Sequence, residues 1–550
     1  MTNKEIAQTF QLLANLMELH DGDPFRIRSY QFVYQNIKNM DQTLSDMPAS
    51  EMASIKGIGK SIAAQISTIL QTGELPALNQ LIEITPSGIL ELLKIKGFGP
   101  KKIKQLWAEL GIETPGELLY AIQENRLLSL KGFGQKSQDE LLKQVHFLLA
   151  HQNLFLLPDL QKVADEFLTF FSSVYPNVTI EPIGDIRRKI PFSDKIEFIV
   201  DGFYQDIQWN QFSEFSIIKE NTNQIEAYWK SSYKLKIYFS EKTKFGNKLI
   251  VFTGNSLFVE SIHFILLSDV SPEFVSEKEI FNLLKTEFIP PELREYKLSD
   301  LSDENLLNNL IQLTDIKGVV HAHSRYSDGS HSIEEMANFS EKAGFSYLVM
   351  TDHSQAAFYA NGLKWDNIQK QHLEIESLNK KNDGFRILKG IECDILSSGE
   401  LDYDEDILCT FEVIIASVHS VLKMDEERAM KRLIKAIENP FTHVLGHPTG
   451  RLLLSRPGYP LNMKKIIDAC SANKVAIELN ANPRRLDLDW CWIPYAMEKN
   501  VFISINPDAH SMNGIMDINQ GVNMARKGKL LKEYCLNALD VNNFLSAMKK

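Results

Sequence analysis

From residue 317 onward, seven short apolar runs alternate with helical stretches, and each run ends in a metal-type ligand or a polar group. The runs read VVHAHS (319–324), YLVMTDH (347–353), RILKGIECD (386–394), EVIIASVH (412–419), THVLGH (442–447), KVAIELNAN (474–482) and VFISINPDAH (501–510). Between them lie segments with helical spacing, such as SIEEMANFSEKAG and EERAMKRLIKAIEN. Strands that alternate with helices build a parallel sheet, and seven such repeats predict a closed β/α barrel. Barrels of this kind place their sites at the C-terminal strand ends and the loops that follow. Those ends carry His321, His323, His353, Glu392, His419, His447, Asp508 and His510, with Asp328 in the turn after the first run. Six imidazoles and three carboxylates are too many for one ion, so the pattern predicts a multinuclear hydrolytic site.

Carboxylate and imidazole without thiolate suit Zn2+, Mn2+ or Fe2+ rather than a structural cysteine site. His321 and His323, two apart on a strand, can grip one ion, and a carboxylate such as Glu392 can bridge two. Two or three ions suit phosphoester cleavage, because they hold phosphate oxygens, acidify the attacking water and stabilise the leaving alkoxide. A lone strand-end histidine is more often a hydrogen-bonded core residue. His443, read as mid-strand, His372, on a helix, and His331 are placed in that class. Nine co-located candidates are poorly explained that way.

At 550 residues the chain should hold several domains, since single cores rarely grow past ~250–300 residues. Residues 1 to about 150 read as helical throughout. A unit recurs there as Ile55-Lys56-Gly57-Ile58-Gly59-Lys60, Ile95-Lys96-Gly97-Phe98-Gly99-Pro100-Lys101 and Leu130-Lys131-Gly132-Phe133-Gly134-Gln135-Lys136, each followed by a short amphipathic helix. Residues 155–300 read as mixed strand and helix, with DKIEFIVDG, YKLKIYFS and KLIVFTG as strands. Residues 289–316 form a charged, Pro-containing connection. No apolar run approaches the ~18 residues of a membrane span, and the N-terminus lacks a basic, apolar secretory signal. The five cysteines show no paired spacing, which fits a reduced cytosolic compartment. A net charge of −12 argues mildly against non-specific coating of nucleic acid but not against local phosphate contacts.

The series H-x-H, S-D-G, T-D-H, G-I-E, S-V-H, G-H-P-T-G-R and D-A-H resembles the polymerase-and-histidinol-phosphatase (PHP) family of metal-dependent phosphoesterases. The resemblance implies a three-ion pattern. His321, His323, Glu392 and Asp508 would hold the first ion, Glu392, His419 and His447 the second, and Asp328, His353 and His510 the third. His321, His323, Glu392, His419 and Asp508 are the expected catalytic set. Arg451, just after the G-H-P-T-G segment, would bind a substrate phosphate or else be a solvated loop arginine. Asp352 would orient a ligand or cap its turn. The repeated hydrophobic-Lys-Gly-x-Gly unit resembles the helix-hairpin-helix element, whose glycines expose backbone N–H groups at a helix N-terminus to DNA phosphate. Gly57, Gly59, Lys60, Gly97, Gly99, Lys101, Gly132, Gly134 and Lys136 are the expected DNA contacts, which position DNA without reading its sequence.

The order of units resembles the bacterial X-family DNA polymerases that carry a C-terminal PHP domain, along essentially the whole chain. Gly184-Asp185-Ile186-Arg187-Arg188 matches their palm, Phe252-Thr253-Gly254 their thumb side, and Leu486-Asp487-Leu488-Asp489-Trp490 their barrel. The implied organisation is a helical domain at 1–85, a fingers-like helix-hairpin-helix domain at 86–152, a palm at 153–240, a thumb-like region at 241–300, a linker at 301–316 and the PHP domain at 317–550. The fold class is thus multidomain: all-helical, then mixed α+β, then a distorted (β/α)7 barrel.

The departures are informative. In the family two palm carboxylates lie as D-x-D, eleven and thirteen residues past the palm glycine; counted from Gly184 those places hold Lys195 and Glu197. A register shifted to Asp194 still lacks the pair. The third carboxylate's place holds Lys234, and Asp185 stands in the family's Gly-Ser phosphate clamp. Two lysines where Mg2+ should bind predict a dead polymerase. Where some relatives use a lyase lysine, alignment on Gly57 and Gly59 places Gln65, with Ser61 one turn earlier and Lys60 at another helical angle, so lyase activity is not expected.

The expectation is a DNA-repair phosphoesterase, a 3'-5' exonuclease or 3'-phosphoesterase using two or three divalent ions. Its partner would be primer-template, gapped or 3'-ended DNA, and it would act as a monomer, away from membranes, in the bacterial cytoplasm at the nucleoid. Rival readings are a small-molecule phosphatase and a non-catalytic DNA-binding scaffold.

Overall fold

The computed structural model describes all residues except 39, 41, 56, 96, 151–153, 267–271 and 550. Two compact units divide the chain, one of Met1–Tyr120 with Lys136–Leu149 and one of Ala121–Gln135 with Ala150–Lys550. Among the described residues no helix is long and apolar enough to cross a membrane.

The first unit is helical. Its opening helix, Asn3–Leu19, starts at a capping box: Thr2 accepts from the Glu5 N–H while the Glu5 carboxylate takes the Thr2 N–H. That helix buries Ile6, Phe10, Leu13 and Met17 at helical spacing against Pro24–Lys38, with Phe10 stacked on Tyr30 at 5.8 Å. Two later helices, Lys60–Thr72 and Pro100–Leu110, each begin directly after a glycine N-cap, Gly59 and Gly99.

The second unit contains two sheets that matter for function. Strands β1 (Ile180–Ile183), β2 (Lys195–Asp201), β3 (Phe215–Glu220), β4 (Gln224–Trp229) and β5 (Tyr233–Ser240) form a mixed sheet in the order β1-β2-β5-β4-β3. An aromatic core of Phe167, Phe171, Phe198, Trp209 and Phe212 backs it. The KLIVFTG segment, expected as a strand, is instead the helix Phe245–Thr253. Its β-branched run suggested extended chain, but Phe245, Leu249, Ile250 and Thr253 are buried on one helical face.

Strands β6 (Gly318–Ala322), β7 (Tyr347–Met350), β8 (Arg386–Asp394), β9 (Val413–Ser417), β10 (Val444–Leu445), β11 (Ala476–Asn480) and β12 (Ile503–Asn506) form the other sheet in strict sequence order. Every neighbouring pair is parallel. Helices between them cover the outside, so nearly every strand residue is buried, as a doubly covered sheet requires. Beyond β12 the edge returns to β6: the His323 N–H donates to the Ala509 carbonyl at 2.9 Å and the Ala509 N–H to that of His321 at 3.2 Å. The seven strands thereby make a nearly closed barrel. His443 sits just before β10 rather than within a strand, and its Nδ1 accepts from the Ile414 N–H at 3.0 Å.

Candidate metal centre

The candidate ligands converge because eight of the nine lie at or just beyond the end of a barrel strand, with Asp328 in the turn after the first. At β6 the pairing with β7 slips between Val319 and Ala322, and His321 adopts a left-handed backbone (φ 70°). Asp508, just past β12, does likewise (φ 52°). Neither residue type occupies that region freely, and such conformations persist where the surrounding structure enforces them. Here they turn both side chains into one cluster.

Glu392, near the end of β8, is its hub. Its Oε1 lies 3.3 Å from His321 Nε2, 3.1 Å from His419 Nε2 and 3.1 Å from His447 Nε2, and its Oε2 lies 2.9 Å from His353 Nδ1. Asp508 faces His321 and His323 at 3.3 and 3.1 Å. Asp328 faces His353 and His510, each at 3.4 Å. Three overlapping groups have ligand atoms within 4.8 Å of one another: His321, His323, Glu392 and Asp508; His323, Asp328, His353 and His510; and His353, Glu392 and His419. His447 joins through Glu392. All nine side chains expected from the sequence therefore meet in one place.

The donor set fits divalent ions. His321 Nε2, His323 Nδ1, Asp328 Oδ2, both His353 nitrogens, Glu392 Oε2 and His510 Nε2 are buried without a hydrogen-bond partner. Leaving so many polar atoms unmet costs about 1–3 kcal/mol each, and cations at those positions would satisfy them. The electrostatics agree. Burial alone would lower the His321 imidazole, but Asp508, Glu392 and Glu478 hold it well above its ordinary value. Burial would likewise raise Glu392, Asp328 and Asp508, yet the surrounding imidazoles hold all three well below the carboxylate range. His323 is pushed down by burial and by His510 and His353 beside it. The cluster thus keeps carboxylates ionised, as metal ligands must be.

Supporting residues that the sequence reading passed over surround this cluster. Glu478, on β11, meets His321 Nδ1 at 2.6 Å, accepts from the His447 N–H at 2.5 Å and from Asn506 at 2.9 Å. Asp394 meets His419 Nδ1 at 2.9 Å. Such carboxylates fix which imidazole nitrogen faces an ion. Both had a signal: Asp394 follows Glu392 by two on one strand face, and Glu478 is the one carboxylate in the one run without an assigned ligand. Asp352 is engaged in the turn that carries Asp328. It accepts from the Ser324 and Ser327 N–H groups at 2.7 and 3.2 Å and from Gln371 at 2.6 Å.

Arg451 is not drawn into the cluster. Its guanidinium donates to Asp489 at 2.6 Å, to the Arg485 carbonyl at 3.0 Å and to the Leu486 carbonyl. Those bonds pin the 485–489 segment. Arg485, by contrast, lies 3.7 Å from Asp508. His372 is half-buried on the helix Trp365–Lys381, with burial pushing its imidazole down to about 4. His331 packs close to the Arg325 loop, its carbonyl accepting from the Arg325 N–H at 2.9 Å.

In the helical repeats the first glycine of each turn has a positive φ: 91° at Gly57, 76° at Gly97 and 90° at Gly132. At Gly97 and Gly132, and at Gly59, Gly99 and Gly134, a Cβ would meet nothing within 4 Å, so these turns present bare backbone. Lys60, Lys101 and Lys136 are exposed on the helices that follow, Lys101 near Glu18 at 3.9 Å. Lys56 and Lys96 lie outside the described residues.

On the mixed sheet, Lys195 pairs in register with Lys234, and Glu197 with Lys236. Side chains alternate along a strand, so Lys195, Lys234 and Lys236 share this face with Glu197 and, on the next strand, with Glu226, which pairs with Lys236. Lys195 Nζ lies 3.0 Å from Glu197 and Lys234 Nζ 3.7 Å from Glu226. Asp185 accepts from Arg188 and Ser193 at 2.8 and 2.7 Å.

Comparison with known proteins converges on this architecture. Helix-hairpin-helix families match residues 1–75 and 89–145, and the PHP domain family matches residues 320–482. The DNA polymerase/3'-5' exonuclease PolX of Bacillus subtilis is 32% identical over 578 aligned residues, covering the whole of both chains. The chain belongs to the PolX family. Its PHP barrel also resembles free-standing proteins. A probable phosphatase of Thermoanaerobacter sp. is 29% identical over 241 residues, 42% of this chain and 93% of that protein. A probable phosphatase of Caldanaerobacter subterraneus is 27% identical over 234 residues, 40% and 85% respectively. This PolX-family chain is thus a metal-dependent phosphoesterase by its PHP domain, joined to helix-hairpin-helix elements of the DNA-binding type.

Proposed function

We propose that the barrel is a 3'-5' exonuclease or 3'-end phosphodiesterase of DNA and the only working catalytic centre of the chain. The observation that carries this is the nine-ligand cluster on a chain whose other sheet presents lysines where nucleotidyl transfer needs carboxylates. Ions at the cluster, Mn2+ or Zn2+ with Fe2+ as a further choice, would supply positive charge to the phosphate and acidify the attacking water. His321, His323, Glu392 and Asp508 would hold the first of them, Glu392, His419 and His447 the second, and Asp328, His353 and His510 the third. Glu392 and the buried imidazoles bind and orient; Glu478 and Asp394 hold two of those imidazoles in one tautomer.

The glycine turns at 57–59, 97–99 and 132–134, with Lys60, Lys101 and Lys136, would take DNA phosphates and deliver a primer-template, gap or 3' end. The division at 1–85, 86–152, 153–240, 241–300, 301–316 and 317–550 gives those tasks to separate segments. With Lys195 and Lys234 on the palm face, no pair of Mg2+ ions assembles and no nucleotide is added. Gln65, donating to the Tyr30 hydroxyl at 3.3 Å, offers no amine for lyase chemistry. The protein would work as a monomer in the bacterial cytoplasm, at the nucleoid. Arg451 remains a phosphate ligand only if substrate displaces Asp489.

The phosphatase relatives favour a second reading, hydrolysis of small phosphate esters by the barrel alone. A 5'-labelled duplex and a chromogenic phosphate ester, each with Mn2+ or a chelator, separate the two. The proposal expects shortening of the duplex, lost with chelator and in His323→Ala. Phosphate release without shortening would establish the phosphatase instead, and neither activity with DNA binding retained would leave a scaffold.

A further inference from the structure

Three consecutive residues outside the barrel reach its metal cluster. Ala121–Gln135, the stretch leading into the third glycine turn, packs as part of the barrel's unit. Within it Glu124 is 2% exposed, and its Oε1 lies 3.5 Å from His510 Nδ1. Asn125 donates to the Ser330 hydroxyl at 3.0 Å and to the Asp328 carbonyl at 3.4 Å. The Arg126 guanidinium lies 4.9 Å from the centre of the Tyr359 ring, which in turn meets His353 edge-on at 6.3 Å. Arg126 also pairs with Glu124 at 3.0 Å, which offsets part of the cost of burying that carboxylate.

The three targets are not scattered. Asp328, His353 and His510 come together in one of the ligand groups, the one completed by His323, and of the three only His353 is shared with a second. Its neighbour groups around Glu392 and Asp508 are oriented from inside the barrel, by Glu478 and Asp394. His510 Nδ1 has the Asp508 carbonyl at 3.0 Å as its acceptor and the Glu124 carboxylate 3.5 Å away, while Nε2 is turned toward Asp328 without a hydrogen-bond partner. A cavity of about 360 Å3 opens beside this corner, lined by Glu124, Pro158, Arg484, Asp508 and His510 among others.

We propose that Glu124, with Asn125 and Arg126, is the positioning element for the His323–Asp328–His353–His510 ion site, so that this one site is built jointly by the barrel and the segment leading to the third DNA-type turn. The proposal rests on the metal-cluster reading above but not on the identity of the substrate. Outer carboxylates that orient a ligating imidazole typically contribute 10–100-fold in metal affinity. Glu124 would do so for His510, Asn125 would hold the Asp328 loop, and Arg126 would hold Glu124. One ion of the set then depends on a segment only six residues from Leu130, where the third turn begins.

The test is a calorimetric titration of Mn2+ into the full chain, stripped with chelator, as wild type, Glu124→Gln and Asn125→Gly. The glycine keeps the left-handed backbone of Asn125 (φ 54°) and removes its amide. The expected result is one class of site weakened about 10–100-fold in Glu124→Gln, by a smaller factor in Asn125→Gly, with the remaining sites unchanged. If Glu124→Gln does not fold, Asn125→Gly decides alone. Isotherms indistinguishable from wild type would overturn the proposal, as would a uniform loss across all sites. A protein that binds Mn2+ in this selective way yet never shortens DNA would refute the exonuclease reading and leave this inference standing.

Discussion

Glu392 sets the chemistry at the residue scale, since four imidazoles face its two oxygens within 3.3 Å. Its effect depends on partners that hold those rings. Glu478→Ala should weaken Mn2+ binding and hydrolysis about 10–100-fold while DNA affinity stays the same; unaltered Mn2+ affinity would show that the His321 tautomer needs no such support. The cluster also fixes a pH response. His321 and His353 are held well above the ordinary imidazole range by carboxylates, and His510 is raised to about 9 as Glu124 and Asp328 outweigh burial. Below that value the metal-free rings carry protons that an ion must displace. Mn2+ affinity should therefore rise between pH 6 and pH 9, and the proton release should show in calorimetry as a binding heat that varies with the buffer's ionisation enthalpy. In the metal-free protein these raised values stabilise the fold below about the unfolded imidazole value, near 6.5. That contribution fades as pH rises toward 9. The nine side chains that meet in the barrel were legible as a set in the sequence, because eight stand at or near the ends of apolar runs and Asp328 in the turn after the first. Glu124 was not, since nothing in a helical repeat announces a contact made almost four hundred residues away in sequence.

Elements explain why the mixed sheet and the barrel differ. The strand pairs that carry Lys195, Glu197, Lys234 and Lys236 were legible as strands, and their register now puts the lysines side by side. The helix Phe245–Thr253 was not legible, because a Leu-Ile-Val-Phe run suits strand and buried helix alike and only packing against Ser276 and its neighbours decides. That helix is tied down by a buried ion network. Arg187 donates to Thr253 at 2.6 Å and to Glu277 at 2.8 and 2.7 Å, while Arg294, fully buried, also donates to Glu277. Glu277→Ala strands two guanidinium groups and should cost about 3–5 kcal/mol, seen as a lowered melting temperature with Mn2+ affinity intact. The glycine turns make a different prediction. Gly97→Val places a β-branched residue at φ 76°, a strain of roughly 1–2 kcal/mol, and crowds the phosphate face. Duplex affinity in a fluorescence titration should fall while Mn2+ affinity at the barrel is unchanged, and equal duplex affinity would remove that turn from the DNA path.

At the scale of the whole molecule, one chain joins a barrel with a buried, ionised set of candidate metal ligands to a mixed sheet on which Lys195, Lys234 and Lys236 share a face with Glu197 and Glu226. The order of these parts follows the PolX family from end to end, and that order was visible in the spacing of glycines, strands and histidines. What spacing could not show was how the charges on the mixed sheet offset one another, Lys195 against Glu197 and Lys234 against Glu226. The most direct test is a single gel: a labelled primer-template incubated with Mn2+ and all four deoxynucleoside triphosphates, using wild type and His323→Ala. The account predicts primer shortening by wild type, none by His323→Ala, and no band above the starting primer in either lane. Bands above the primer would contradict the inactive palm, and an unshortened primer in the wild-type lane would contradict the barrel as a 3'-end nuclease.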